Sequence, residues 1–319
     1  DILVWDITKG EGESLQELEA YFRQIWNEDC VQIKGGRKKN SSDISVSEEA
    51  ADDSEDAESN SKNSNIVNGI PNVENEITDE TQEKLSKYEK QYQSLEMRYA
   101  SLKEKYTDIE DYSSWQEDTI PANKITLVNN GTHAGPKTPL VLQTILYLAQ
   151  NAENVTIQTP YVICNGYMYD TLNEIASHAQ LKIILNAVEK GSNPWGCTDY
   201  LNQKKKILNT GADVYELMNE VPVHTKAVLL DDRLSVVGSY NLDMRSTYLD
   251  TELMLVIDSK ELNQQIQSTE GTYIEKSKEV LSNGQETEGA QYETKVLNWQ
   301  KKLFYGVLRI IIRPLRQLL

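Results

Sequence analysis

The sequence predicts an α/β protein in which a mixed β-sheet is flanked by helices. Between residues 125 and 217, short apolar runs alternate with helical patterns, the rhythm of β–α units. From 212 to 257 strand follows strand, with a turn at Asp231-Asp232-Arg233, which calls for antiparallel pairs as well. Hydrophobic residues are only 39 % of the 319 residues, so the folded part must be diluted by a polar segment.

Taken in order, Ile2-Leu3-Val4-Trp5 reads as a short strand. Ser14–Trp26 follows with Leu15, Leu18, Phe22 and Ile25 at helical spacing, and Ser14 with Glu17 three residues on forms a capping-box pattern. One strand and one helix cannot close a core, so residues 1–34 are expected to be the tail of a larger unit. Residues 35–81 are rich in Ser, Asn, Asp and Glu, and Asp43–Glu58 holds eight acids and no base. Such a stretch buries too little apolar area to offset its ordering entropy, and it reads as a disordered linker. A long amphipathic helix is expected over 82–118. Leu85, Tyr88, Tyr92, Leu95, Tyr99, Leu102, Tyr106 and Ile109 recur at spacings of three and four. Tyr at half of these positions makes a poor zipper, which favours a helix laid against its own domain over a coiled coil.

Residues 119–285 carry the expected α/β domain. Strands are expected at Ile125–Val128, Val155–Gln158, Leu181–Asn186, Val214–Leu217, Thr225–Leu230, Ser235–Val237 and Glu252–Ile257. Helices are expected at Leu140–Gln150, Tyr169–His178 and Asp199–Asn209, the last stopped at Gly211. Residues 286–319 form a basic amphipathic segment, with five bases and no acid from Lys301 onward. That composition suits equally a helix lying on anionic lipid and one docked on its own domain with its bases in solvent. A membrane surface becomes the expected partner only with the motif at residues 224–241.

The net charge of −18 argues against a general nucleic-acid binder, and no nucleic-acid partner is expected. Most of that charge belongs to residues 40–81, where twelve acids face Lys62 alone. Cys30, Cys164 and Cys197 form neither a CxxC pair nor a metal-ligand spacing and read as small buried hydrophobes. Neither a cofactor nor a metal is expected. The chain opens at Asp1 without an initiator Met, and it reads as a fragment whose start is missing.

The chemistry concentrates in His224-Thr225-Lys226 and, after a turn at Asp231, in Gly238-Ser239-Tyr240-Asn241. On a strand, residues two apart share a face, so His224 and Lys226 are expected to project together. Ser239 and Asn241 are expected on the returning strand, and Gly238 is expected to let the backbone approach a ligand. An imidazole, a fixed cation, a hydroxyl and an amide are the groups needed to hold a phosphodiester and attack its phosphorus.

These residues match the HxKx4Dx6GSxN signature of the phospholipase D superfamily at every position. The continuation Leu242-Asp243-Met244-Arg245-Ser246-Thr247-Tyr248-Leu249-Asp250-Thr251-Glu252 resembles the NLDxRSxxLNTE stretch of bacterial cardiolipin synthases, with Asp250 where an Asn is usual. Gln158-Thr159-Pro160-Tyr161 and Gly211–Glu216 extend the resemblance over about 125–260. It implies a phospholipase D-like fold and a catalytic set of His224, Lys226 and Asp231. Lys226, Ser239 and Asn241 would bind phosphate, supported by Gly238 and by Glu252 accepting a hydrogen bond from a catalytic imidazole. It implies phosphodiester exchange on a phosphatidylglycerol-like phospholipid, through a phosphohistidine, by a peripheral protein of the bacterial cytoplasmic membrane. The alternatives are a superfamily nuclease assembled from two single-motif chains and a non-catalytic remnant.

Two-motif members use one histidine to attack phosphorus and the other to protonate the leaving alkoxide, the role the resemblance gives His224. Only His133, His178 and His224 are present, and neither of the first two has a Lys two residues on. Asp1–Asn27 resembles the stretch that follows the first motif, so the partner domain with that motif is expected upstream of Asp1. Gly131-Thr132-His133-Ala134-Gly135-Pro136-Lys137-Thr138 nearly spells a P-loop. Pro136 occupies a position that needs an N–H, which excludes that reading.

Overall fold

A computed structural model of the chain describes residues 4, 12–27, 79–107 and 118–316; the expected strand at Ile2–Trp5, most of the acidic linker and Cys30 lie outside these residues. The chain divides into two compact units, Ile33–Asp118 and the rest. Helix α1, Glu13–Asn27, belongs to the second unit; in the first, the described element is α2, Asp79–Lys105. It stops at Lys105, well short of the expected 118, with Lys103 and Lys105 in its last turn, where cations suit the helix dipole. Tyr88, Tyr92, Leu95, Tyr99 and Leu102 of its seam are exposed.

The other unit is built on a nine-stranded sheet. Its strands are β1 (Lys124–Asn129), β2 (Asn154–Gln158), β4 (Gln180–Asn186), β5 (Asp213–Leu217), β6 (Ala227–Leu230), β7 (Leu234–Gly238), β9 (Leu253–Asp258), β10 (Ser277–Val280) and β11 (Glu286–Glu288), in the order β1-β9-β7-β6-β2-β4-β5-β10-β11. β2, β4 and β5 run parallel and every other pair is antiparallel. Two short strands, β3 (Val162–Ile163) and β8 (Leu242–Asp243), pair separately. The mixed sheet expected from the sequence is therefore observed. The boundary expected at 285 is not, because it falls inside the β10–β11 hairpin.

Helices α3 (Leu140–Ala149), α4 (Gly166–Ala176), α5 (Pro194–Leu208) and α8 (Trp299–Leu315) feed the main apolar core, which holds Ile145, Leu172, Ile183, Val228 and Tyr305. Helix α6 (Met244–Tyr248) is a single short turn region, and α7 (Lys260–Glu275) packs Tyr273 and Ile274 on a smaller cluster of Ile184, Tyr215 and Leu217. Helices α4 and α5 begin three and five residues earlier than expected. Asn165 and Asn193 cap them, accepting from Met168 and from Trp195 and Gly196. Gly211, at φ +91°, ends the α5 segment as expected.

The capping box expected at Ser14 and Glu17 does not form. Ser14 Oγ donates 2.7 Å to the Ile125 carbonyl, and Leu127 N–H donates 3.2 Å to the Glu17 carboxylate. Both groups belong to β1, the edge strand, so α1 closes a sheet edge that would otherwise present unpaired backbone.

Candidate active site

The parallel strands β2, β4 and β5 end at one edge of the sheet, and β6 and β9 begin there. The open end of an α/β sheet is the usual place for a ligand site. His224 and Lys226 sit on it just before β6, which starts at Ala227 rather than at the expected Thr225. They meet all the same. Lys226 Nζ lies 2.8 and 2.9 Å from the two ring nitrogens of His224 and donates 2.7 Å to the His224 carbonyl. Lys226 is buried and His224 exposed, so the imidazole faces outward from an ammonium held behind it.

The electrostatics follow from that placement. Burial, then the Lys226 charge, holds the His224 imidazole below its ordinary value. Lys226 is itself lowered by burial, with Glu252 and Asp243 pulling the other way. A neutral imidazole beside a cation is suited to attack an electrophile or to take a proton, and the cation to hold an anion.

Val223, the residue before His224, is fastened by Asn186 at the end of β4. Asn186 Nδ2 donates 2.8 Å to the Val223 carbonyl, and Val223 N–H returns 2.9 Å to Asn186 Oδ1. Asn186 was not singled out in the sequence, where it is simply the last residue of a strand.

Ser239 and Asn241 lie past the end of β7 rather than on it. Ser239 Oγ donates to the Glu252 carboxylate and accepts from Leu253 N–H at 3.0 Å. Glu252 is thus held by the serine, not by the imidazole expected for it. Asn241 donates through N and Nδ2 to Ser246 Oγ at 3.3 and 3.4 Å, and its buried Oδ1 has no partner among the described residues. Gly238 serves a different need from the expected one. A Cβ there would stand 2.1 Å from the Leu253 carbonyl, so the glycine permits close approach of β7 to β9.

Asp231 is not brought to the others. It occupies the β6–β7 turn at φ +50°, and its carboxylate accepts from Glu153 and Asn154 N–H, both at 2.9 Å. Five residues of nearly extended chain, at ~3.3 Å each, put it roughly 15 Å from Lys226. It fixes the far end of the hairpin.

Three further residues join this edge. Tyr21 of α1 is buried, its hydroxyl has no partner among the described residues, and burial with the Glu252 charge raises its pKa. Lys137 is buried and donates 2.8 Å to Thr251 Oγ1. Asp243, raised by burial, caps α6 through Ser246 N–H at 2.6 Å. His133 and His178 stay out of the site: their rings contact the backbone carbonyls of Pro136 and of Glu174 and Ala149. Cys164 and Cys197 are buried and unpaired.

Residues 144–269 match the family described as "Cardiolipin synthase, PLD-like domain". Cardiolipin synthase A of Escherichia coli O157:H7 is 31 % identical over 153 residues, which cover 46 % of this chain and 30 % of the relative. The chain therefore spans less than a third of the curated relatives it matches. Among solved structures, it is similar to Nuc of Salmonella typhimurium, a phospholipase D family member (13 % identity, TM-score 0.40, covering 52 % of this chain and 99 % of that one). It is also similar to phosphatidylserine synthase of Haemophilus influenzae (16 % identity, TM-score 0.42, covering 61 % and 48 %). The edge built by His224 and Lys226 lies within the matched segment, which is similar to the phospholipase D-like domain of cardiolipin synthases.

Proposed function

We propose that this domain supplies one half of a phosphodiester-exchange site acting on a phospholipid of the phosphatidylglycerol type. The observation that carries the reading is the buried Lys226 ammonium 2.8 Å from the exposed His224 imidazole, at the open edge of the sheet. Lys226 would hold a phosphate oxygen, with Ser239 and the Asn241 amide beside it. The second histidine would come from a partner domain upstream of Asp1. It would form an N–P bond as the P–O bond to the leaving group breaks, and His224 would give its proton to the departing alkoxide. His224, now neutral, would take the proton of the incoming alcohol or water as its oxygen replaces the histidine nitrogen. The bound phosphate's negative charge offsets Lys226 and lets His224 carry a proton in the first step. The lowered pKa of the unliganded site suits the second. The protein would work at the bacterial cytoplasmic membrane, where its substrate lies.

The test is turnover of phosphatidylglycerol by a protein carrying both halves, wild type against His224→Ala. Loss of ~10²–10⁴ in rate is expected, with circular dichroism unchanged. Activity within a few-fold of wild type removes His224 from the mechanism. The 319-residue chain alone should bind a phosphodiester weakly and turn nothing over. Turnover that rises with the square of its concentration would instead favour two single-motif chains forming one site.

A further inference from the structure

The last helix presents three distinct faces. Tyr305, Leu308 and Ile312 of α8 are buried against the domain, on the side of α5. Two arginines fasten that contact. Arg309 bonds the side chain and backbone of the α5 segment at Asn202 and Leu201. Arg316 pairs with the fully buried Asp199 at 2.6 Å and donates to the Cys164 carbonyl.

The opposite face is apolar and open. Leu303, Val307 and Ile310, spaced by four and three, are exposed by 61, 52 and 70 %, and Trp299, Phe304 and Ile311 widen the stripe. Contiguous exposed apolar surface of this kind marks a contact with something outside the monomer. Along one flank between the two faces, Lys302 and Arg313 are exposed, next to Arg309 and Arg316, whose guanidinium groups bond to the domain. No acid lies between Lys301 and the end of the chain.

We propose that the outer face of α8 docks the domain on an anionic lipid surface, with the His224 edge turned toward it. An apolar stripe bordered by bases is the pattern of a helix lying at the headgroup boundary. The chain as a whole is at −18, so an anionic surface repels most of it and selects this basic helix as the point of contact. A second copy seated on the same face would bring another basic flank and no acid to meet it. The orientation comes from the clamp. Cys164 directly follows β3 and Asp199 lies in the first half of α5, so the C-terminal end of α8 sits toward the sheet edge that carries His224. Tyr167 and Trp195, exposed in the first turns of α4 and α5, stand at that same edge. Aromatic side chains of this kind favour the membrane interface.

The proposal deepens the phospholipid reading by naming the surface, yet it rests on α8 and is read without turnover. The experiment is co-sedimentation of the 319-residue chain with vesicles of phosphatidylglycerol and, separately, of phosphatidylcholine. Wild type should bind the anionic vesicles and lose them at high salt. Val307→Asp with Ile310→Asp, both on the open face, should abolish binding. Lys302→Gln with Arg313→Gln should weaken it about 25-fold, at roughly fivefold for each charge removed. Circular dichroism and melting confirm that each variant is folded, and the two pairs act on different faces, so one can fail to fold without losing the test. His224→Ala should bind as wild type does, which separates this result from failure of the catalytic reading. No binding of wild type to anionic vesicles overturns the proposal. So does equal binding by both variant pairs, or a dimer in sedimentation velocity that the open-face pair dissociates in the absence of vesicle binding.

Discussion

The two ends of the β6–β7 hairpin carry residues of one short motif and have opposite tasks. At the open edge, Lys226 and His224 touch each other, and the imidazole is left exposed. At the turn, Asp231 gives its carboxylate to two backbone N–H groups of the neighbouring connection and holds β2 to the hairpin. The four residues between them, Ala227–Leu230, are all buried. The difference teaches that spacing in a sequence motif can record the length of a strand. A residue at a fixed offset from a neighbouring His–Lys pair can be fixed there by packing.

Removing the cation at the open end should give the largest effect. Lys226→Met takes away the group beside the imidazole and should cost ~10²–10³ in turnover, measured with both halves of the site present. Melting should hold or rise, because a buried ammonium is costly to keep. It should also move the pH profile. The first step needs protonated His224, so activity falls as pH rises through the imidazole pKa, which lies below its ordinary value in the free site. Without the Lys226 charge that limb should shift toward higher pH, while the part of the shift due to burial remains. A limb that stays put would mean that Lys226 does not act on His224.

At the turn the expected effect is on stability. Asp231→Ala removes two charge-assisted hydrogen bonds and places alanine at φ +50°, where Asp is better tolerated. A loss of about 1–3 kcal/mol is expected, or roughly 3–10 °C in Tm for a domain of this size. Turnover per folded molecule should be unchanged below the transition. A folded Asp231→Ala protein with lost turnover would return Asp231 to the catalytic set.

The sheet was legible because most strands are apolar runs whose partners repeat the same period. β2 and β4 fell within a residue of expectation, and the glycine stop at Gly211 marked the end of a helix. What stayed hidden depends on side chains meeting across long sequence distances. Ser14 and Glu17 have the spacing of a cap, but the unpaired edge of β1, more than a hundred residues on, takes both. Asn165 and Asn193 are ordinary loop residues in the sequence until a helix begins on them. At the site, the motif named His224 and Lys226 correctly as neighbours, although the strand that was to align them starts only after Lys226. Tyr21, Asn186 and Lys137 carry no local pattern. Tyr21 is one position from the apolar stripe used to recognise α1, and only its burial near Glu252 distinguishes it.

Burial that suits Lys226 is a liability at Glu270, on the helix α7 that covers the other face. Glu270 is buried, one carboxylate oxygen has no partner among the described residues, and burial raises its pKa to about 8 against a partial offset from Lys182. A carboxyl whose folded pKa lies above its unfolded value leaves stability intact below the unfolded pKa. Stability is then lost as pH rises through the window from 4.5 to about 8. Glu270→Gln should therefore be more stable than wild type at pH 8, by up to a few kcal/mol at ~1.4 kcal/mol per unit, and nearly equal to it at pH 4.5. Melts at the two pH values decide this, and an advantage that does not change with pH would show that Glu270 is not neutral in the folded domain.

The smallest effect is expected from the segment that touches neither end of the hairpin by any sequence signal. Residues 40–81 hold twelve acids against one base and few apolar residues, so they bring little surface that a core could bury. Replacing them with a short Gly/Ser linker should leave turnover within about twofold and Tm within a degree or two, since a change in connection length alters closure entropy only logarithmically. The substitution removes eleven net negative charges in one step. If the acidic stretch repels an anionic membrane, vesicle binding should strengthen at low salt and converge with wild type as salt screens the difference. A fall in Tm of several degrees would instead mean that the acidic segment packs on a folded part of the chain, and its composition would have been misread.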